Sequence, residues 1–139
     1  MDPDHPIVKL RVQGMECESS GRRDEASRLF MSAWMQSTDD SERCVDAHYV
    51  TRHQKETVDA LMWNQRSLDH ANAVRDDRVR EFYPWLYVNM GKAHEDFGNC
   101  EDAMRFYPTA EKFLDSLPEC RYGTIVRKAV ERALLRIRE

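Results

Sequence analysis

The same order of small and aromatic residues occurs twice in this chain, with the same spacing each time. The two copies consist of Gly14, Gly21, Ala26, Phe30 and Ala33, and of Gly91, Gly98, Ala103, Tyr107 and Ala110. Around both copies, apolar residues recur every three and four positions, as on one face of an α-helix, and no segment keeps the strict alternation of a strand for long. Gly21 falls between two such stretches, where its freedom to adopt a left-handed backbone suits a tight turn. The pattern therefore predicts an all-α chain built of helix–turn–helix units.

A weaker unit lies between the two copies. Gly14 and His48 are 34 residues apart, and the distance from there to the first glycine of the next copy is 43 residues. In this middle unit His48 replaces the first small residue, Lys55 replaces the turn glycine and Asn64 replaces the aromatic residue. We expect the nine additional residues, around 72–79, to lengthen the second helix of the unit.

A period of 34 residues for helix, turn and helix is typical of repeat proteins, in which each unit buries its apolar face against its neighbours. The third unit, at residues 87–107, closely resembles the tetratricopeptide repeat (TPR), and the first unit matches that repeat at the same positions. The resemblance covers about residues 7–139 and is to small, stand-alone TPR proteins of bacterial type. It implies one all-α domain, residues 1–139, with three TPR helix pairs in a right-handed superhelical stack and a C-terminal capping helix. The implied bounds are about 7–39, 41–80 and 84–117 for the pairs and about 120–138 for the cap.

The repeated residues also predict how the helices of a pair pack. Gly14 and Gly91 have no side chain, so that a neighbouring helix can approach closely at these points. Phe30 and Tyr107 are expected to fill the space toward the next pair.

Two prolines bear on the helix bounds. Pro84 suits the first turn of a helix that carries residues 85–94, because the N–H group it lacks has no partner within the helix there. Pro108 falls inside the expected second helix of the third unit, where it removes a backbone hydrogen bond and clashes with the preceding turn. We therefore expect a kink or a local bulge near residues 102–104.

Charge and hydropathy argue against several function classes. The 21 basic and 25 acidic residues give a net charge of −4, which provides no general attraction to nucleic-acid phosphates or anionic lipids. Lys128, Arg132 and Arg136 lie one turn apart, but no aromatic residue follows Tyr122 to stack on bases, and we interpret them as a solvated helix face. The first residues lack the apolar core of a secretory signal, and no apolar run approaches the length of a membrane span. The four cysteines form no CxxC pair. We expect a cytoplasmic protein that binds neither membranes nor nucleic acids.

The TPR resemblance also implies a binding surface, because the first helix of each pair lines the concave face of such a stack. Carried over residue by residue, the groove candidates are Arg11, Met15, Tyr49, Arg52, His53, Trp85, Asn89 and Lys92. Among these, Tyr49, Arg52 and Trp85 combine large contact areas with directional polar groups, as the anchors of protein interfaces do. We expect a non-catalytic adaptor or scaffold that binds a segment of another protein or a peptide in this groove.

Two alternatives to a peptide-binding adaptor stay open. The same surface or the last helix could pack against a second copy of the chain, which would make it a homodimer or a self-association scaffold. The groove could also sense a signalling peptide as part of a regulatory subunit. An adaptor for chaperone tails is disfavoured, because Asp46 occupies a position where TPR co-chaperones need a neutral amide beside a bound carboxylate.

Residue patterns that would support catalysis or metal binding are few. Cys44 and His48 lie four residues apart and could share a zinc ion, yet no second Cys/His pair stands at ligand spacing. The chain contains no GxSxG, GxGxxG or GxxxxGK[ST] motif. We therefore predict no enzyme activity, no catalytic residues, no metal site and no cofactor.

Overall fold

The computed structural model describes residues 4–74 and 77–138, and throughout these residues the fold is all-α, without strands. The α-helices in chain order are α1 Pro6–Ser19, α2 Arg23–Gln36, α3 Asp40–Thr51, α4 Thr57–Ala73, α5 Tyr83–Asp96, α6 Cys100–Lys112 and α7 Arg121–Ile137. Two short 3₁₀-helices, Asp77–Phe82 and Leu114–Ser116, precede α5 and follow α6. None of the described helices is both long and apolar enough to cross a bilayer.

Glycine ends α1 and α5 in the same way. Gly21 and Gly98 have φ angles of +77° and +92°, and no other described residue has a positive φ. In the first turn, the N–H of Arg22 donates to Cys17 O at 2.8 Å, and the N–H of Gly21 donates to Glu18 O at 3.1 Å. This is a Schellman motif, in which a left-handed residue lets the chain satisfy the last carbonyls of the helix. The left-handed turn predicted at Gly21 is confirmed, and the corresponding bonds recur after α5.

Glycine also sets the seam inside the first and third helix pairs. A Cβ atom on Gly14 would lie 2.5 Å from the Phe30 ring, and one on Gly91 would lie 2.5 Å from the Tyr107 ring. Both rings are fully buried, so each occupies the space that a side chain on the facing helix would need. The close approach predicted at the two glycines is therefore confirmed. In the middle pair the order is reversed at the corresponding positions. The first helix carries an aromatic ring, His48, in place of glycine, and the second helix carries a smaller side chain, Asn64, in place of the aromatic residue.

The segment between α4 and α5 differs from the prediction. The second helix of the middle unit was expected to run on through residues 72–79, but α4 ends at Ala73 and a 3₁₀-helix covers Asp77–Phe82. Residues 75 and 76 lie outside the described residues. Val79 is buried against Leu86 and Met90 of the next helix. A tighter helix at this point brings Val79 into the core, which explains why the α-helix does not continue.

The prolines behave differently from each other. Pro84 stands in the first turn of α5, as predicted. Pro108 lies within α6, which is α-helical without interruption from Cys100 to Lys112. Of the two expected distortions near residues 102–104, the bulge is absent from this helix, and the kink stays a prediction. The Thr109 hydroxyl donates to Arg105 O at 2.8 Å, one residue beyond the carbonyl that Pro108 deprives of its partner.

The helices pack in chain order as antiparallel neighbours, α1 with α2, α3 with α4 and α5 with α6, and each pair also packs against the next. Side chains of the odd-numbered helices contact one another directly. Trp85 of α5 donates to His48 of α3 at 2.6 Å, and Arg136 of α7 donates to Glu95 of α5 at 2.9 Å. The odd-numbered helices therefore form one continuous side of the fold, and the candidate site lies on that side. The right-handed superhelical twist implied by the TPR resemblance stays a prediction.

Candidate functional site

A cavity of about 490 Å³ lies between α3, α5 and the start of α7, with the 3₁₀-helix Asp77–Phe82 along one edge. Its wall is mostly apolar and aromatic, with one arginine, one glutamate and one cysteine. The lining residues are Val45, His48, Tyr49, Arg52, Glu81, Phe82, Trp85, Leu86, Pro118, Cys120, Tyr122, Ile125 and Val126. Ligand pockets of proteins have this character, in that apolar walls supply contact area and a few polar groups supply orientation.

Tyr49 of α3 and Arg52, the residue directly after this helix, stack at one rim of the cavity. The guanidinium carbon of Arg52 lies 4.6 Å from the ring centroid of Tyr49, and this ring in turn stacks on Phe30 at 4.9 Å. One nitrogen of Arg52 pairs with Glu18 at 3.1 Å, and 39% of the arginine side chain stays exposed. A guanidinium has five N–H donors, so this one can still bind an incoming carboxylate while it stays anchored.

Trp85 and His48 form the part of the wall beside that rim, and the ring centroids of His48 and Tyr49 are 5.7 Å apart. The indole N–H of Trp85 donates to Nε2 of His48 at 2.6 Å. Because an indole N–H only donates, Nε2 must accept, and the proton of the neutral imidazole is then on Nδ1. The atom of Asn89 nearest to Nδ1 is the amide nitrogen, at 3.5 Å. Because Nδ1 then donates, we assign the Asn89 amide the orientation turned by 180°, in which its oxygen faces Nδ1 and accepts the hydrogen bond. Both ring nitrogens are therefore engaged in the neutral form.

This arrangement keeps His48 uncharged. Burial, with a smaller contribution from the positive charge of Arg52, lowers the pKa of the imidazole to about 3. A base with this pKa takes a proton poorly at neutral pH, so His48 is suited to holding Trp85 in place and not to proton transfer.

The start of α7 closes the remaining side of the cavity. A Cβ atom on Gly123 would lie 2.0 Å from the carbonyl oxygen of Pro118, so only glycine lets the first turn of α7 pack so closely on the preceding segment. Tyr122 is thereby placed with its hydroxyl 3.5 Å from Glu81 O. Burial and the nearby charge of Glu81 raise the pKa of the Tyr122 phenol, which stays neutral. Ile125 remains 51% exposed at the cavity mouth.

A smaller cavity of about 200 Å³ adjoins the first, and the side chains of His48, Arg52 and Trp85 line both. Asn89 and Lys92 of α5 lie in this second space. Lys92 pairs with Asp96 at 2.9 Å, and both of these side chains are largely exposed. The three shared residues form a partition that a ligand of either cavity would contact.

Five of the eight groove candidates from the sequence therefore line one of these cavities. Tyr49, Arg52 and Trp85 line the larger one, and Asn89 and Lys92 line the smaller one. Met15 is exposed on α1, with its sulfur 3.7 Å from the Tyr49 hydroxyl, and it lines neither.

The structure corrects the placement of two candidates, Arg11 and His53. Arg11 is only 5% exposed, and its Nε atom pairs with the fully buried Asp46 at 2.6 Å. The side chain of His53 is also buried, stacked on Phe30 with Nε2 2.8 Å from Glu18. Both residues join α3 to its neighbours instead of facing the groove, because the helices are close enough for long polar side chains to meet between them. Asp46, considered above as a residue that would repel a bound carboxylate, does not face the groove either.

Sequence reasoning missed most of the residues that line the larger cavity. Its missed members include His48, Glu81, Phe82, Tyr122 and Ile125. His48 carried a signal, since it is a large residue at a position where the other units have glycine. The remaining four come from the connection before α5 and from α7, and their approach to α3 depends on tertiary packing that periodicity does not report.

Cys44 and His48, the pair considered for zinc, each have a hydrogen-bonding partner within the protein. The Cys44 sulfur lies 3.7 Å from the Ser67 hydroxyl in the core, and burial raises the pKa of this thiol to about 11. A protonated thiol is a poor metal ligand. Across residues 4–74 and 79–138, no three histidine, cysteine, aspartate or glutamate side chains stand together in a way that could hold a metal ion.

Comparisons with protein-family models, with curated proteins and with solved structures each gave no significant match to this chain.

Proposed function

We propose that the chain is a non-catalytic, TPR-like adaptor that binds a segment of another protein in the cavity between α3, α5 and α7. The observation that carries the proposal is the cavity itself, about 490 Å³ in volume, with an apolar and aromatic wall and a partly exposed arginine at the rim. This volume lies within the range of about 300–1,000 Å³ typical of ligand pockets. The repeated glycine–aromatic seams and glycine turns support the TPR-like part of the proposal.

The chemistry of the wall favours binding over catalysis. Both nitrogens of His48 are already hydrogen-bonded within the protein, and the Tyr122 phenol is neutral and half-buried. Neither group is poised to accept a proton from a substrate at neutral pH. Apolar side chains such as Val45, Leu86 and Ile125 instead provide a surface for an apolar side chain of the partner.

Two valines provide a matched test of this proposal. Val45 is half-buried in the wall of the cavity, belongs to no core cluster and is replaced by aspartate in the test variant. Val58 on α4 is 56% exposed, does not line this cavity and is replaced by aspartate in the control. Peptides are first selected on the wild-type protein from a displayed random library, and their binding to the three proteins is then measured by fluorescence anisotropy.

We expect Val45→Asp to weaken binding of the selected peptides by about tenfold or more, because an apolar ligand group would have to desolvate a carboxylate. Val58→Asp should leave binding unchanged. Circular dichroism and thermal melting verify that both variants are folded. Equal binding by all three folded proteins would show that the peptides use another surface, and failure of the library to enrich any sequence would contradict peptide binding altogether.

A further inference from the structure

The last helix carries an exposed line of cationic and apolar residues. Its members are Arg121, Ile125, Lys128, Arg132 and Leu135, and all five are exposed in the structure. At 3.6 residues per turn they span about 80° of the helix circumference and about 21 Å of its length. They lie opposite the residues that pack into the core, such as Val126, Val130 and Leu134. We call this line the α7 stripe.

Within the part of the chain that the structure describes, the cations of the α7 stripe have no polar partner, unlike the other arginines at this end of the chain. Arg136 pairs with Glu95, Arg138 lies 3.9 Å from Glu111, and Arg127 donates to a backbone carbonyl of the preceding segment. By contrast, the three stripe cations make no side-chain hydrogen bond or ion pair with residues 4–74 and 79–138. Two of them stand four residues apart on one face, a spacing at which like charges repel. The stripe is therefore a concentration of positive charge that no described acidic side chain pairs with.

The charge of the stripe contrasts with the rest of the chain. Residues 121–139 contain six basic and two acidic residues, whereas residues 1–120 contain 15 basic and 23 acidic residues. An acidic partner would be repelled by most of the surface and attracted to α7, so charge would direct it to this helix. A phosphate backbone or an anionic bilayer fits less well, because the stripe has no aromatic residue and its two apolar residues, Ile125 and Leu135, are ten positions apart.

The stripe also continues into the cavity. Ile125 belongs to both, since it is the second residue of the stripe and part of the cavity lining. We propose that the bound segment is acidic and amphipathic, with one apolar side chain in the cavity, another against Leu135, and carboxylates facing Arg121, Lys128 and Arg132. This inference rests on the proposed function and adds to it the chemistry of the partner and the path of its chain.

The test uses two synthetic peptide probes labelled with fluorescein. One is made of glutamate and leucine, with leucines recurring every three and four residues, and the other has lysine in place of every glutamate. Binding is measured against the wild type, Lys128→Glu/Arg132→Glu, and a control with the same change of net charge, Lys9→Glu/Arg28→Glu. The two control residues are exposed on α1 and α2, far along the chain from the stripe.

The wild type should bind the glutamate peptide and not the lysine peptide. Reversing the two stripe charges should weaken that binding by about 10- to 30-fold, since each partly exposed pair is changed from attraction to repulsion. The control should change it by less than about threefold, because only the overall charge is altered. Raising the salt concentration should weaken binding to the wild type more than binding to the stripe variant.

Val45→Asp distinguishes failure of this inference from failure of the proposed function. If Val45→Asp weakens peptide binding but the stripe variant does not, the cavity binds a segment that does not follow α7, and the inference is wrong while the proposed function stands. If the stripe variant weakens binding and Val45→Asp does not, the cavity is unused and both are wrong. Equal weakening by the stripe variant and by the control would show non-specific attraction, and a preference for phosphatidylserine vesicles or single-stranded RNA over the glutamate peptide would also overturn the inference.

Discussion

Acidification should destabilise this protein through a single ring, His48. The ring is held neutral between Trp85 and Asn89, and its pKa in the folded protein is about 3, against an ordinary value of 6.5. Between these two pH values, the unfolded chain binds a proton that the folded chain does not bind. The contribution of His48 to the free energy of unfolding is therefore fully present above about pH 6.5 and declines as the pH falls toward 3.

The size of the effect follows from that difference in pKa. One proton of differential binding changes the free energy of unfolding by about 1.4 kcal/mol for each pH unit. Between pH 7 and pH 5 most of this change occurs below pH 6.5, so we expect His48 to account for a loss of about 2 kcal/mol. For a chain of this size, such a loss corresponds to a decrease in Tm of about 8 °C.

The assay compares urea unfolding at pH 7 and pH 5 for the wild type, His48→Gln and a control, His5→Gln. The control residue is an exposed histidine before α1. Three other histidines lie near carboxylates, but they are present in all the proteins compared, so their contributions cancel in the difference. His48→Gln should lose about 2 kcal/mol less than the wild type on acidification, and the control should behave like the wild type. An identical pH dependence for the wild type and His48→Gln would refute the hydrogen-bonding scheme assigned to this ring.

Two further substitutions test the packing of the third pair. Gly91→Ala should lower the free energy of unfolding by about 1–2 kcal/mol, because the clash with the Tyr107 ring, 2.5 Å from the added Cβ, outweighs the better helix propensity of alanine. In a Tyr107→Leu background the loss caused by Gly91→Ala should shrink or reverse, because the ring that clashes with the added Cβ is gone. Gly98→Ala serves as the control: its cost comes from the backbone φ of +92°, since an added Cβ would have no atom within 4 Å, so it should be the same in both backgrounds. Glu95→Gln should cost about 1–2 kcal/mol at pH 7, because the carboxylate accepts hydrogen bonds from the Tyr107 hydroxyl and from α7. The hydrogen bonds from Arg136 of α7, and to a lesser extent the one from Tyr107, lower the pKa of Glu95 to about 2. The wild type should therefore lose this stabilisation as the pH falls from 4.5 to 2, whereas Glu95→Gln should not. Asp96→Asn, which alters an exposed pair, is the control and should change stability by less than about 0.5 kcal/mol in chemical unfolding.

The parts of the fold that the sequence predicts are those governed by local rules. Gly21 ends a helix because few other residues tolerate a positive φ, and Pro84 begins one because the first turn needs no N–H donor. Gly14 marks a close approach because a buried ring must occupy the space beside it. Each of these features follows from the identity and spacing of a few residues, and spacing can be read directly from the chain.

The parts that the sequence does not predict depend on which surfaces meet. Arg11 and Asp46 are 35 positions apart, and their burial follows from how closely α1 and α3 approach, which the helical period leaves undetermined. The 3₁₀-helix before α5 forms because Val79 is drawn into the core, a tertiary effect that outweighs helix propensity. For the same reason, most of the cavity wall was missed, since Tyr122 reaches Glu81 only through the fold of the connection that precedes α7.

The residues that line the cavity are widely separated along the chain, so they are synthesised at different times during translation. The parts of the cavity wall come from α3, from the start of α5 and from the start of α7, so the last part leaves the ribosome about 70 residues after the first. While the chain is still being made, Trp85 and Leu86 can be present without Tyr122 and Ile125 to cover them. The cavity therefore takes shape only once translation has passed the seventh helix. A partner that requires a closed cavity would distinguish a chain made that far from a nascent or prematurely stopped one.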